Sequence, residues 1–111
     1  MPPVDPRIRQ IKIQTGVVTR ITKEKKMYEK ENVEMDKKVE QLKAEGKDSY
    51  VINKQIECAA ESKAMVPDCV RRLKDGCDKL KNLLEVEKDL AETEEYKNAQ
   101  LALESAASEI N

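Results

Sequence analysis

"SKAMVPDCVRRLKDG", residues 62–76, decides how this chain folds, because it sets a proline in the middle of an apolar stripe of helical period. Proline lacks the backbone donor and its ring crowds the preceding turn, at a cost of roughly 3 kcal/mol inside a helix. The stripe around it reads Ile52, Ile56, Ala59, Lys63, Val66, Val70, Leu73, Cys77, Leu80 and Leu84. Every step is three or four residues, and the phase carries from Val66 to Val70 across the proline. A loop followed by a fresh helix has no reason to keep that phase. The stretch therefore predicts one helix over about 49–86, kinked near Pro67, with the proline on the solvent side where water meets the lost hydrogen bond.

Two more helices extend outward from it. Asp5-Pro6 is a start signal: aspartate in the cap position, then proline at the first helical position, where its missing N–H costs nothing. Ile8, Ile11, Val18, Ile21, Tyr28, Met35, Val39 and Leu42 follow at helical spacing, with Lys25 and Asn32 on the same stripe. Gly46 suits the position that ends a helix, so the first runs over about 6–45 and is roughly 60 Å long. The third, over about 90–109, carries Tyr96, Ala99, Leu103, Ala106 and Ile110. Its start has two candidates: a capping box at Asp89 and Glu92, or a cap at Thr93.

These lengths predict an all-α fold in one domain over residues 1–111: an elongated up-down-up antiparallel three-helix bundle with a shorter third helix. In that layout, facing residues of the first two helices have numbers summing to about 93, and those of the last two to about 177. Ile110 then lands beside Pro67, and Gly16 falls opposite Gly76. Residues 6–26, 67–86 and 90–110 make a three-helix bundle, while 27–45 and 48–66 make a bare two-helix hairpin. A hairpin cannot fully cover its stripes, so Tyr28, Met35, Val39, Leu42, Ile52 and Ile56 keep apolar faces partly open. Flanking Lys and Glu stems cover such faces in many proteins; alternatively they are a docking strip for a partner or a second copy.

Composition narrows the function. Of 111 residues 39% are charged, with no Phe or Trp, so there is little material for a wide core, yet the net charge of −1 and the periodic apolar residues argue against disorder. No apolar run approaches the roughly 18 residues that span a bilayer, and no signal-peptide core follows Met1. Cys58, Cys69 and Cys77 share one helix, the last two about 12 Å apart, which points to free thiols in a reducing, cytoplasmic compartment. The absence of histidine removes the commonest general base and most zinc sites. With no phosphate-cradling glycine loop either, no cofactor or metal is expected, and no enzyme. Residues 1–30 carry eight Lys/Arg against three Asp/Glu, whereas residues 85–111 carry two against eight. Opposite charges on neighbouring helices select register; without interleaved aromatics the basic stretch is a poor nucleic-acid site.

Four strings carry a resemblance: "DPRIRQIKIQTGVVTR" (5–20), "KKMYEKE" (25–31), "MVPDCVRRL" (65–73) and "EKDLAETEEYKNAQLALES" (87–105). In order and over nearly the whole chain, they resemble the tubulin-binding cofactor A family. That resemblance implies a rod-like three-helix bundle in the cytoplasm, associated with the cytoskeleton. It implies capture of β-tubulin intermediates after release from the cytosolic chaperonin, with other tubulin-folding cofactors acting downstream, and no nucleotide or metal.

Within those strings, the charged residues off the core stripe are the candidate partner contacts: Arg7, Arg9 and Lys12, Arg71 and Arg72, and Asp89, Glu94 and Glu95. Solvated surface and pairing between helices account for the same residues. A structural coiled-coil protein with another partner is the alternative function, which Gly46 and the short third helix disfavour. Monomer and homodimer both stay open.

Overall fold

The computed structural model describes residues 5–110. They form helix α1 (Pro6–Ala44), helix α2 (Ser49–Val86), a 3-10 turn (Lys88–Leu90) and helix α3 (Glu94–Ile110), with no strand among the described residues. The Asp5 carboxylate caps α1 by accepting the Arg7 N–H at 2.9 Å, and Pro6 takes the first helical position. At the other end Gly46 adopts a φ of 68°, in the left-handed region glycine tolerates. The Lys47 N–H then reaches the Leu42 carbonyl and the Gly46 N–H reaches that of Lys43, both at 3.1 Å. This paired closure satisfies the last carbonyls of α1. Asp48 caps α2 by accepting the Tyr50 N–H at 2.9 Å, so the chain reverses within a few residues.

Helix α2 runs through Pro67 without a break, and the proline is exposed. Its buried side departs from the predicted stripe on both sides of the proline. Lys63 points outward and pairs with Asp36 at 3.2 Å, whereas Ser62 and Cys69 turn inward. The reason is angular: neighbouring residues lie 100° apart on a helix, and the line through Ala59, Ser62, Cys69 and Leu73 centres on the partner helices better than one through Lys63.

The second connection is longer than the sequence suggests. Leu90, inside the 3-10 turn, is buried against the core, and α3 begins only at Glu94. The capping box expected at Asp89 and Glu92 does not form, because Asp89 turns to Arg7. Thr93 is the cap: its hydroxyl accepts the Tyr96 N–H at 3.3 Å. The Tyr96 hydroxyl in turn donates to the Leu84 carbonyl at 2.9 Å, tying α3 back to α2.

Ion pairs record the antiparallel register of α1 and α2: Arg7 with Glu87, Glu24 with Arg72, Asp36 with Lys63. The two glycines do not meet, however. Gly16 is exposed with nothing near it, while Gly76 is buried beneath Gln14, Val17 and Val18, and its carbonyl accepts the Gln14 amide at 3.0 Å. The stagger is off by a fraction of a turn, enough to rotate Gly16 out.

The rod measures 66 × 30 × 16 Å. Its core lies in one half, where Ile11, Val18 and Ile21 of α1 meet Leu73, Cys77 and Leu80 of α2 and Tyr96, Ala99 and Ala106 of α3. Helix α3 runs out beside Lys25, whose ammonium lies 3.1 Å from Glu109 and 3.2 Å from Glu29. Since neighbouring Glu24 meets Arg72, this end stands little more than a turn from Pro67. Beyond it, residues 27–66 bury only Val39, Ala59 and Ser62 among the described residues.

Candidate interaction surface

Helix ends and register sort the charged candidates into three places. At the base of the rod, Arg7 binds Asp5 at 2.8 Å, Glu87 at 3.0 Å and Asp89 at 2.8 Å. The Asp5 hydrogen bonds, then those of Asp89 and Glu87, hold the guanidinium pKa well above its ordinary value, and those from Arg7 hold the Asp5 carboxyl below its own. Arg7 and Asp89 are thus spent on each other, clamping the start of α1 to the turn between α2 and α3.

A second group lies between α1 and α3. Lys12, Glu94 and Glu95 share a shallow cleft of about 270 Å³ with Thr15 and Asn98. It opens beside a second depression under Thr19, Lys23 and the exposed Leu101. Arg9 is exposed on the same helix, and none of these four charged candidates is in an ion pair among the described residues. The third group follows Pro67. Arg71 pairs with Asp68, and Arg72 reaches Glu24 at 3.0 Å and Asp68 at 3.2 Å. The hydrogen bond to Glu24, joined by that to Cys69, raises the Arg72 pKa. Arg72 therefore bridges α2 to α1, whereas Arg71 pairs only within α2 and stays largely exposed.

The apolar candidates lie in the two-helix half. Tyr28 and Met35 come together in a groove of about 350 Å³ with Cys58 and Met65, flanked by Glu31 and Glu61. Leu42 and Ile52 are half-buried and Ile56 is 42% exposed, but none lines this groove, and Val39, expected to be partly open, is buried between the two helices, so the expected strip is broken. Met27, Val33 and Tyr50 in the same half are each more than half exposed. Sequence reasoning missed Cys58, Glu61 and Met65. Their spacing of three and four residues was a usable signal, but it runs beside the main stripe and was masked by it.

Lys25 was the other miss. Its stem occupies a stripe position while its head pairs with Glu109, a partner 84 residues away. Burial opposes its charge, but the Glu109 and Glu29 carboxylates outweigh that and raise its pKa. Of the free thiols, Cys58 is exposed, while Cys69 and Cys77 are buried. Burial pushes the Cys77 thiol up. Among the described residues no cluster of His, Cys, Asp or Glu is placed to hold a metal ion, and no helix is long and apolar enough to cross a membrane. What the surface offers is contact area: charged ends on a three-helix base and an open apolar hairpin.

Comparison with known proteins agrees along the whole rod. The family model "Tubulin binding cofactor A" matches residues 6–103. Tubulin-specific chaperone A of Oryctolagus cuniculus is 55% identical over 101 residues, covering 91% of this chain and 94% of that protein. The solved structure of human tubulin chaperone cofactor A superposes with a TM-score of 0.78 at 52% identity, covering 92% of this chain and 99% of that one. The crystal structure of tubulin folding cofactor A from Arabidopsis thaliana gives 0.83 at 32% identity, covering 93% and 97%.

Proposed function

The chain belongs to the tubulin binding cofactor A family, and from that premise we propose that it is a tubulin-folding chaperone. Its client is β-tubulin released from the cytosolic chaperonin, which it holds until the αβ heterodimer assembles. The work is done in the cytoplasm, and other tubulin-folding cofactors act downstream. The relatives are named as chaperones and cofactors, not enzymes, and capture of this kind makes or breaks no covalent bond and uses no nucleotide or metal.

One observation carries the reading: the rod has a three-helix core in one half and stops at two helices in the other. A free-standing hairpin leaves Met27, Val33, Tyr50 and Ile56 substantially exposed. Apolar patches of this kind, rimmed by charge, mark protein contact sites. A folding intermediate of tubulin has apolar surface awaiting its own partner, and a preformed helical face shields it reversibly. The charged rim gives orientation and association rate, and the apolar strip gives the affinity. Glu31 and Glu61 flank the apolar groove itself, while Arg9, Lys12, Glu94 and Glu95, on the three-helix half, are the charged candidates with charge to spare. Arg7, Asp89, Arg71 and Arg72 reach a client only by giving up contacts within the rod.

The test is a pull-down from cytosol with the tagged chain and identification of the partner by mass. Recovery of β-tubulin without stoichiometric α-tubulin is the expected outcome. Recovery of intact αβ dimer alone, or of no tubulin, refutes it.

A further inference from the structure

The groove in the two-helix half has a one-sided chemistry. Its apolar lining is Tyr28, Met35 and Met65, and methionine is the side chain that best adapts to varied partners. The polar groups around it are unpartnered: carboxylates and an amide oxygen that only accept, and a hydroxyl that can donate or accept. Ser62, which lines the groove and is only 6% exposed, has a hydroxyl with no partner, and the buried Asn32 Oδ1 on the same face of α1 has none either. Glu31 and Glu61 are in no ion pair among the described residues: Lys30, Lys37 and Lys38 pair with no acid, and three other lysines are held elsewhere. Lys63 holds Asp36, Lys54 holds Glu57, and Lys25 holds Glu29 and Glu109.

We infer that this groove takes an amphipathic helix of the tubulin client, apolar along one face and flanked by Lys or Arg. The inference rests on the chaperone function above. A helix suits the site better than an extended segment. The rod has no sheet edge to pair with an incoming backbone, whereas a helix satisfies its own N–H and C=O groups. Tyr28, Glu31 and Met35 cover two turns of α1, and Cys58 to Met65 two turns of α2. A third helix laid there repeats the packing that α3 gives the other half. Its cations meet Glu31 and Glu61, and its polar flank reaches the Ser62 hydroxyl.

Cys58 reports occupancy directly, being an exposed thiol in the groove while Cys69 and Cys77 are buried. The full chain is alkylated in the presence of a leucine–lysine helical peptide of about four turns, or its leucine–glutamate counterpart. The basic peptide should slow Cys58 alkylation about fivefold at several times its Kd, with no effect from the acidic one. Glu31→Lys with Glu61→Lys, checked for helicity, should reverse the preference; Glu31→Gln with Glu61→Gln should abolish it. Equal protection by both peptides, or by neither, overturns the inference. So does protection that grows with the chain's own concentration, which means a second copy fills the groove. In the chain loaded with tubulin, Cys58 should be protected. Tubulin captured while Cys58 reacts at its free rate overturns the groove assignment and leaves the chaperone function standing. Failure to capture tubulin at all defeats the chaperone function, and this assignment with it.

Discussion

Replacing Pro67 with alanine returns an amide N–H to the Lys63 carbonyl and removes the ring that crowds that turn. Helix α2 is continuous here and the position is exposed, so an alanine meets no packed neighbour. An interior proline costs about 3 kcal/mol relative to alanine. Proline also stiffens the unfolded chain, and losing that stiffening gives back roughly 0.4–1 kcal/mol. The net gain expected for Pro67→Ala is therefore about 2 kcal/mol, which in a domain of this size is about 8 °C in Tm. The assay is thermal and urea unfolding followed by circular dichroism. The urea midpoint should rise with an unchanged m-value, because the surface exposed on unfolding is the same. An unchanged or lowered stability would refute the reasoning. It would mean that the proline bends α2 into a packing of Val66 and Val70 that a straight helix loses.

Glu109→Ala leaves the buried Lys25 ammonium with the half-exposed Glu29 alone. The expected cost is about 1–2 kcal/mol in urea unfolding, less than for a fully enclosed pair because this one stands at the end of α3. Lys25→Met with Glu109→Gln should recover most of it. Because the folded Lys25 pKa is raised above 10.5, its contribution is complete below that pH and is lost as pH rises through the folded value. Unfolding at a series of alkaline pH values should show a fall in stability that Lys25→Met lessens. Gly76→Ala places a Cβ 3.6 Å from Val18 Cγ2, an ordinary contact. It should raise stability by up to about 1 kcal/mol, as should Gly16→Ala in open space; thermal melting of each variant checks this. Tyr96→Phe strips the Leu84 carbonyl of its buried donor at a cost of about 1 kcal/mol. Hydrogen exchange should quicken over Lys88–Leu90, the turn that bond braces.

Much of the rod was legible because its signals are local. Asp5, Pro6 and Gly46 act on backbone groups within a few residues, and the stripe through Pro67 follows one helix's own period. The errors share a different origin. Lys63 was placed inside and Ser62 missed because two adjacent positions fit a coarse stripe about equally, and only the partner helices choose between them. Gly16 was set against Gly76 by counting back from the turn, which ignores helix rotation. Asp89 reads as a cap in isolation and became one corner of the Arg7 clamp because residues 82 positions apart meet at the base. Among the charged candidates, the same blindness hid which were spent across helices: Arg72 looks like a free cation until Glu24 of α1 is placed beside it.

The sequence by itself determined three helices, their order, both ends of the first and the point where a three-helix rod thins to two. Periodicity, capping chemistry and helix length are properties of short segments, and each leaves its mark on neighbouring residues. Only the tertiary structure decided that Lys25 is a buried ion, that Arg7 is a clamp, and that Cys58, Met65 and Glu61 face Tyr28 and Met35 across one open groove. Those outcomes depend on the rotation and stagger of whole helices, which are set by the sum of many contacts and are written in no single stretch of the chain.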